Sequence, residues 1–263
     1  MRAGHRIGRY ELLGELGRGA TGVVYHARDS RDGAIVALKL LIGQMTPARL
    51  RRFEREARAL AKVNHPHVVR LRDQGLHQTA PFLVLDFHPV KSLQAVLARA
   101  PLAPEVVARM GADLADGLAA AHAVGVLHRD LKPANVLIDT QGVPYLTDYG
   151  LASDPEAERE RLTRTGTTLG TPGYMAPEQA GGEVDRLGEA TDVYGLGATL
   201  YAALCGVPPF KGSTVINTLN AVLRDAPSPP SAHVPAIPRD LETIVLRCLE
   251  KEPADRYFSA DAL

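Results

Sequence analysis

The stretch Val126-Leu127-His128-Arg129-Asp130-Leu131-Lys132-Pro133-Ala134-Asn135-Val136-Leu137 crowds polar side chains of unlike chemistry between two apolar runs. Apolar flanks leave their neighbours partly desolvated, where unpaired charge is costly. Either these groups satisfy one another, or something outside the chain completes them. Asp130, Lys132 and Asn135, with Asp148 in Leu146-Thr147-Asp148-Tyr149-Gly150, supply what phosphoryl transfer requires. That chemistry needs an acceptor for the attacking hydroxyl's proton, oxygen ligands for magnesium, and positive charge near the migrating group. An internally satisfied polar core explains one or two such residues well, and four with complementary roles poorly.

Two upstream patterns could serve the same chemistry. Gly17-Arg18-Gly19-Ala20-Thr21-Gly22-Val23-Val24 fits G-x-G-x-x-G-x-V between two strand patterns. Glycines there let backbone amides approach phosphate oxygens closely, although in a hairpin they are more often only a turn. A dinucleotide-binding loop would lead into a helix, whereas VVYHARD reads as a strand; a Walker loop would need Gly-Lys-Ser/Thr, which is absent. Lys39 ends the pattern Val36-Ala37-Leu38-Lys39 on the same side as Ala37. It reads either as a snorkelling surface lysine or as the partner of an acid on the next helix. Glu56 is the candidate acid, because it lies three residues after Phe53 and four before Leu60, beside the buried face. Two charges ~4 Å apart interact by about 4 kcal/mol at an effective dielectric of 20, before desolvation is subtracted.

The elements that must position these groups fall into two sets. Up to about residue 90 the chain reads as strands at Tyr10 to Leu16, Val23 to Ala27, Ile35 to Leu40, Val68 to Leu71 and Phe82 to Leu85. One helix interrupts them, starting at the Thr46-Pro47 cap and stopping at His65-Pro66. After that the pattern is helical: Pro104 to Val124 with Gly125 at its end, then Ala190 to Leu204, Val215 to Leu223 and Leu241 to Leu249. Ser153 to Thr171 is polar, threonine-rich and without apolar period, a long loop of the functional or disordered kind.

Composition sets the limits. The 263 residues, 45% hydrophobic and 23% charged, suit a globular chain with room for two cores. Thirty basic and thirty acidic residues cancel, which argues against a general nucleic-acid or anionic-membrane binder. Cys205 and Cys248 read as buried reduced thiols. No segment has a signal core or the ~18 apolar residues of a membrane span, so a cytoplasmic location is expected. The chain stops in mid-pattern at Ser259 to Leu263, where an extension or membrane anchor is expected to follow.

Taken together, GRGATGVV, VALK, Glu56, HRDLKPAN, DYG, GTPGYMAPEQ, DVYGLG and DRY occur in one order over residues 10 to 263. The chain resembles the catalytic domain of eukaryotic-like (Hanks-type) protein kinases, above all bacterial serine/threonine kinases. The resemblance implies an α+β, two-lobed fold. It comprises a small β-rich lobe with one key helix, about residues 10–87, and a larger helical lobe, about 88–263, within one catalytic domain of residues 1–263.

What the resemblance implies for function is equally specific. Gly17, Gly19 and Gly22 would cover the phosphates of ATP, Lys39 would bind the α- and β-phosphates, and Glu56 would hold Lys39. Asp130 would orient the substrate hydroxyl and accept its proton, with Lys132 near the γ-phosphate. Asn135 and Asp148 would hold Mg²⁺, with Mn²⁺ as an alternative. Leu16, Val24, Ala37 and Leu137 would sandwich adenine, and the backbone at Asp86 and His88 would hydrogen-bond it. Thr163 and Thr165 match phosphorylated threonines of an activation segment, with Arg129 as partner for the phosphate. Thr171 would contact Asp130 and Lys132. Glu178 and Arg256 match a buried ion pair, and Asp192 a carboxylate that anchors the catalytic loop. The implied partners are protein substrates with serine or threonine acceptors, and a transient homodimer for autophosphorylation; neither nucleic acid nor membrane contact is expected of this segment. A pseudokinase scaffold is the alternative, although the residues usually lost in one are all present. A small-molecule kinase is disfavoured by GTPGYMAPEQ, which builds an extended-peptide site.

Three departures from the family pattern remain. Tyr149 stands where phenylalanine is usual, and its hydroxyl must find a partner or cost ~1–3 kcal/mol; a satisfied hydroxyl is expected. Phe87-His88-Pro89-Val90-Lys91 lacks the usual Asp-Gly after the hinge. His65-Pro66-His67 reads as structural rather than metal-binding.

Overall fold

The structure, a computed structural model, describes residues 4–19, 21–42, 46–151 and 172–263. Strands β1 (Arg6–Ile7), β2 (Tyr10–Gly19), β3 (Gly22–Asp29), β4 (Ile35–Leu41), β5 (Leu71–His77) and β6 (Ala80–Asp86) form an antiparallel sheet in the order β1-β2-β3-β4-β6-β5. Period-two alternation sorts β4 between two cores. Val36, Leu38 and Leu40 join Tyr10, Tyr25 and Phe82 on one face, while Leu41 packs with Phe53 and Leu83 on the other. Lys39 lies on that second face, on the side of Ala37 as alternation requires, and with only 8% of its surface exposed it is not a snorkelling surface lysine.

Helix α1 (Pro47–Leu60) covers this second face. Thr46 caps it, its hydroxyl accepting from the Arg49 amide at 3.3 Å, and Pro47 begins it. Its buried stripe is Phe53, Glu56, Ala57 and Leu60. One strand lies elsewhere than expected. Val68 instead bridges Leu146, and β5 begins only at Leu71, running through the polar Arg72-Asp73-Gln74. As an edge strand it buries little, so alternation does not mark it.

The larger lobe carries α2 (Leu93–Leu97), α3 (Pro104–His122), α4 (Pro177–Ala180), α5 (Glu189–Cys205), α6 (Val215–Arg224) and α7 (Arg239–Cys248). A second sheet of β7 (Lys91–Ser92), β8 (Val136–Ile138) and β9 (Pro144–Leu146) lies beside them, its strands too short for a periodic signal. Helix α3 buries Val107, Met110, Leu114, Leu118 and Ala121, and Gly125 follows it at φ +74°. Helix α5 is buried from Thr191 to Leu204 on every side and forms the centre of this lobe. Cys205 and Cys248 are free thiols, half-buried and buried. No described helix is long and apolar enough to cross a membrane.

Candidate active site

The catalytic-loop stretch runs between α3 and β8, and a buried carboxylate holds its backbone. Asp192, in the first turn of α5 and 1% exposed, accepts from the amides of His128 and Arg129 at 2.7 Å each. His122 Nε2 at the end of α3 meets the same carboxylate at 2.8 Å. Gln179 of α4 donates to the Arg129 carbonyl at 2.7 Å. His122 carries no motif signal, and Gln179 closes the GTPGYMAPEQ motif without any sign there of its role, since each acts through a partner at least fifty positions away. Arg129 sits at φ +61°, a conformation that costs a non-glycine residue and persists only where its surroundings over-determine it.

This scaffold presents the polar groups together. Lys132 Nζ lies 2.7 Å from both Asp130 oxygens, and Asn135 Nδ2 donates to the Asp130 carbonyl at 2.7 Å and to Oδ2 at 3.0 Å. The Asn135 amide oxygen is therefore not needed by these bonds. Across the seam between the lobes, Lys39 Nζ reaches Asp148 Oδ1 at 2.8 Å, joining residues 109 positions apart. Asp148 is held at φ +58° by its neighbours: Gly150 N–H donates to the His128 carbonyl at 2.8 Å, and His128 Nε2 pairs with the Thr147 carbonyl at 3.0 Å. Complete burial keeps the His128 imidazole below its ordinary pKa despite the nearby acids, so it stays neutral.

Lys39 meets Asp148, and Glu56 is paired elsewhere. Both Glu56 oxygens accept from Arg129 Nη1, at 3.1 and 3.4 Å, and no ion pair within 4.0 Å joins Lys39 to Glu56 among the described residues. The expectation that Glu56 holds Lys39 does not match this arrangement. Helix α1 does turn Glu56 toward the seam, but the nearest cation there is the guanidinium of the catalytic loop.

Tyr149 also departs from expectation. Its hydroxyl is buried and has no hydrogen-bond partner among the described residues, and burial, with Asp192 nearby, drives its phenol far above the ordinary range. The ring instead lies 4.6 Å from His128, centroid to centroid. Packing, not the hydroxyl, accompanies the inward Asp148. Tyr149→Phe is therefore expected to stabilise the protein by about 1–3 kcal/mol, read as a rise in Tm of roughly 2–4 °C per kcal/mol. A lowered Tm would show that the hydroxyl is satisfied after all.

The positions expected to surround a nucleotide differ in how open their surroundings are. A Cβ on Gly17 or Gly19 would meet nothing within 4 Å, so their backbone borders open space. Gly22 differs: a Cβ there would come 2.5 Å from the Leu40 carbonyl oxygen, so β3 needs glycine to pair closely with β4. Leu16 is 49% exposed, and Val24, Ala37 and Leu137 are half-buried, leaving apolar surface that a planar ring could cover. At the hinge, the Asp86 amide donates to the Arg70 carbonyl at 3.0 Å and the His88 carbonyl accepts from Val90 at 2.9 Å. The Asp86 carboxylate pairs with Arg72 and the His88 ring lies 4.7 Å from Tyr145. Thr163, Thr165 and Thr171 lie outside the described residues.

The ion pair Glu178–Arg256 is present and deeply buried, with both nitrogen–oxygen contacts at 2.8 Å. Burial alone would raise the Glu178 pKa, but the Arg256 bonds and charge bring it below its ordinary value.

Comparison with known proteins gives one answer. Residues 10–263 match the family described as the protein kinase domain. The serine/threonine-protein kinase PkaA of Streptomyces coelicolor is 40% identical over 94% of this chain. PknH of Mycobacterium bovis is 37% identical over the whole of it. The chain spans 47% and 44% of those two proteins, so it corresponds to less than half of each. The crystal structure of the Mycobacterium tuberculosis PknI kinase domain superposes with a TM-score of 0.79, 27% identity, and coverage of 99% of this chain and 95% of that one. The two-lobed fold is shared with that structure, and the chain belongs to the protein kinase domain family.

Proposed function

We propose that this chain transfers the γ-phosphoryl group of ATP to serine and threonine hydroxyls of proteins, with Mg²⁺ as its metal. The convergence of Lys39, Asp148, Asn135, Asp130 and Lys132 at one seam is the observation that carries this reading. The substrate oxygen forms its bond to the γ-phosphorus as the bond to the β-phosphate oxygen breaks, and the hydroxyl proton passes to Asp130. Lys132 keeps that carboxylate oriented and brings positive charge to the transferring group. Asn135 and Asp148 are a carboxylate–amide pair of hard oxygen donors, which suits magnesium bound jointly with substrate phosphates. The metal, when bound with ATP, neutralises charge on the phosphate oxygens. The Asp86 carbonyl and the His88 amide would be the hinge groups that hydrogen-bond adenine. Transfer of labelled phosphate from ATP to a generic protein, with Mg²⁺ and Mn²⁺ in parallel, tests the proposal; nucleotide binding without transfer would favour a scaffold.

Activation follows from the same geometry. Phosphate on Thr163 or Thr165, added in trans by a transiently associated second copy, would compete with Glu56 for Arg129. Arg129 Nε is buried without a hydrogen-bond partner among the described residues, so the guanidinium has a donor to spare. Glu56, once released, would pair with Lys39 and position it for phosphate. Glu56→Gln is then expected to cost the phosphorylated enzyme about 10- to 100-fold in kcat/KM, the scale of one charge-assisted bond. The phosphatase-treated enzyme, in which the Lys39 pair is unmade, should lose little. Equal losses in both forms would refute the exchange.

A further inference from the structure

Beside the catalytic loop lies a cavity of about 270 Å³, between the 172–174 turn and the segment that precedes α6. Pro172, Tyr174, Pro208 and Phe210 give it apolar walls, and Lys132 and Lys211 give it charge. Its two walls touch through Gly173, where a Cβ would sit 2.3 Å from the Phe210 carbonyl oxygen. No carboxylate is among its described lining residues. Lys132 is already committed to Asp130, whereas Lys211 is exposed and forms no ion pair among the described residues.

A third lysine adds to the field. Lys251 Nζ lies 4.0 Å from the centroid of the Phe210 ring, and donates to the Val222 carbonyl at 2.6 Å. Burial lowers its pKa to about 8, so its charge persists at neutral pH. Lys132 and Lys211 line the cleft and Lys251 lies against the Phe210 ring of its wall, in a molecule whose formal net charge is zero. Lys132 is paired with Asp130 and Lys251 feels the charges of Asp225 and Glu250, so Lys211 is the ammonium group without an acidic partner among the described residues; a basic side chain entering there would be repelled by it, and an acidic one would be attracted.

We propose that Lys211 selects protein substrates with an acidic side chain close to the acceptor residue, while an apolar neighbour rests on Tyr174 and Phe210. The inference rests on the kinase reading above and names the substrate class for it. The cavity adjoins Lys132, hence the site of transfer, so the acidic residue lies within a few positions of the acceptor. Its volume admits one or two side chains, smaller than the range of small-molecule pockets and in keeping with a peptide.

Paired peptides test this directly. Each pair shares an acceptor and differs only by glutamate or lysine at one position, scanned across both sides of the acceptor. The wild-type protein is expected to favour the glutamate member about five-fold in kcat/KM at one or two positions, the scale of a solvent-screened ion pair. Lys211→Glu is expected to invert the preference at those positions and nowhere else, a swap that general damage to the fold could not produce. Transfer with an unaltered charge profile in Lys211→Glu, or a wild-type preference for lysine, would overturn this inference alone. Absence of transfer to every peptide by a preparation that binds ATP would overturn the kinase reading and this inference with it.

Discussion

Asp130→Asn is expected to lower kcat by about 10²- to 10⁴-fold, the usual contribution of a positioned proton acceptor. That range corresponds to roughly 2.7–5.5 kcal/mol of lost transition-state stabilisation. The substitution is nearly isosteric, yet it removes the carboxylate that Lys132 contacts at 2.7 Å on both oxygens. It also places a donor where Asn135 now donates at 3.0 Å, so the loop loses some order as well as its base. The proposed ATP contacts lie on other residues, so KM for ATP should change by much less than kcat. Steady-state transfer to a peptide, with mutant and wild type at equal nucleotide occupancy, reads the two effects separately. Retention of wild-type kcat would remove Asp130 from the proposed chemistry.

The second large effect concerns stability. Glu178→Ala is expected to cost about 3–5 kcal/mol, because it leaves the Arg256 guanidinium buried and uncompensated. Both partners are essentially inaccessible to solvent, with side-chain exposures of 0% and 1%. The loss also frees the Thr191 hydroxyl, which donates to Glu178 Oε1 at 2.8 Å, and loosens α4 from α5. Against a total stability of 5–15 kcal/mol for a typical domain, such a loss approaches unfolding. Urea denaturation monitored by circular dichroism would measure it, and a change under 1 kcal/mol would contradict it. Removing both charges, as in Glu178→Leu with Arg256→Met, should restore much of the loss, since desolvation cancels most of the Coulomb gain of a buried pair.

The same pair predicts a pH dependence with a definite sign. The folded Glu178 carboxyl titrates below its unfolded value, so the folded state binds fewer protons there. Its contribution is complete above the unfolded pKa and is lost as pH falls through the lower, folded one. Glu178→Gln should therefore flatten the acid limb of stability relative to wild type.

Much of this was legible along the chain. The Thr46 cap, the alternation that placed Lys39 on the inner face, the α3 stripe and the Gly125 terminus all depend on residues within a few positions of one another. Local periodicity reports such features because backbone geometry repeats every two or 3.6 residues. The anchoring role of Asp192 and the Glu178–Arg256 pair were legible only through the family resemblance. Edge strand β5 and the short strands β7 to β9 were not, as they bury too little to leave a pattern.

The partner of Glu56 could not be read in the same way. Residue types at positions 39, 56, 129 and 148 name two bases and two acids, and several pairings of them satisfy charge equally well. A shift of a few ångströms in α1 against β4 decides between Lys39 and Arg129, because hydrogen-bonded ion pairs need contact near 3 Å. The unpartnered hydroxyl of Tyr149 and the gathering of Lys211 and Lys251 around Phe210 are of the same kind. The order of residues along the chain thus specified which reactive groups exist and which elements carry them. Packing between elements far apart in the chain decided which group each one meets, since apolar burial sets the docking of whole elements and only that docking brings charges within bonding distance.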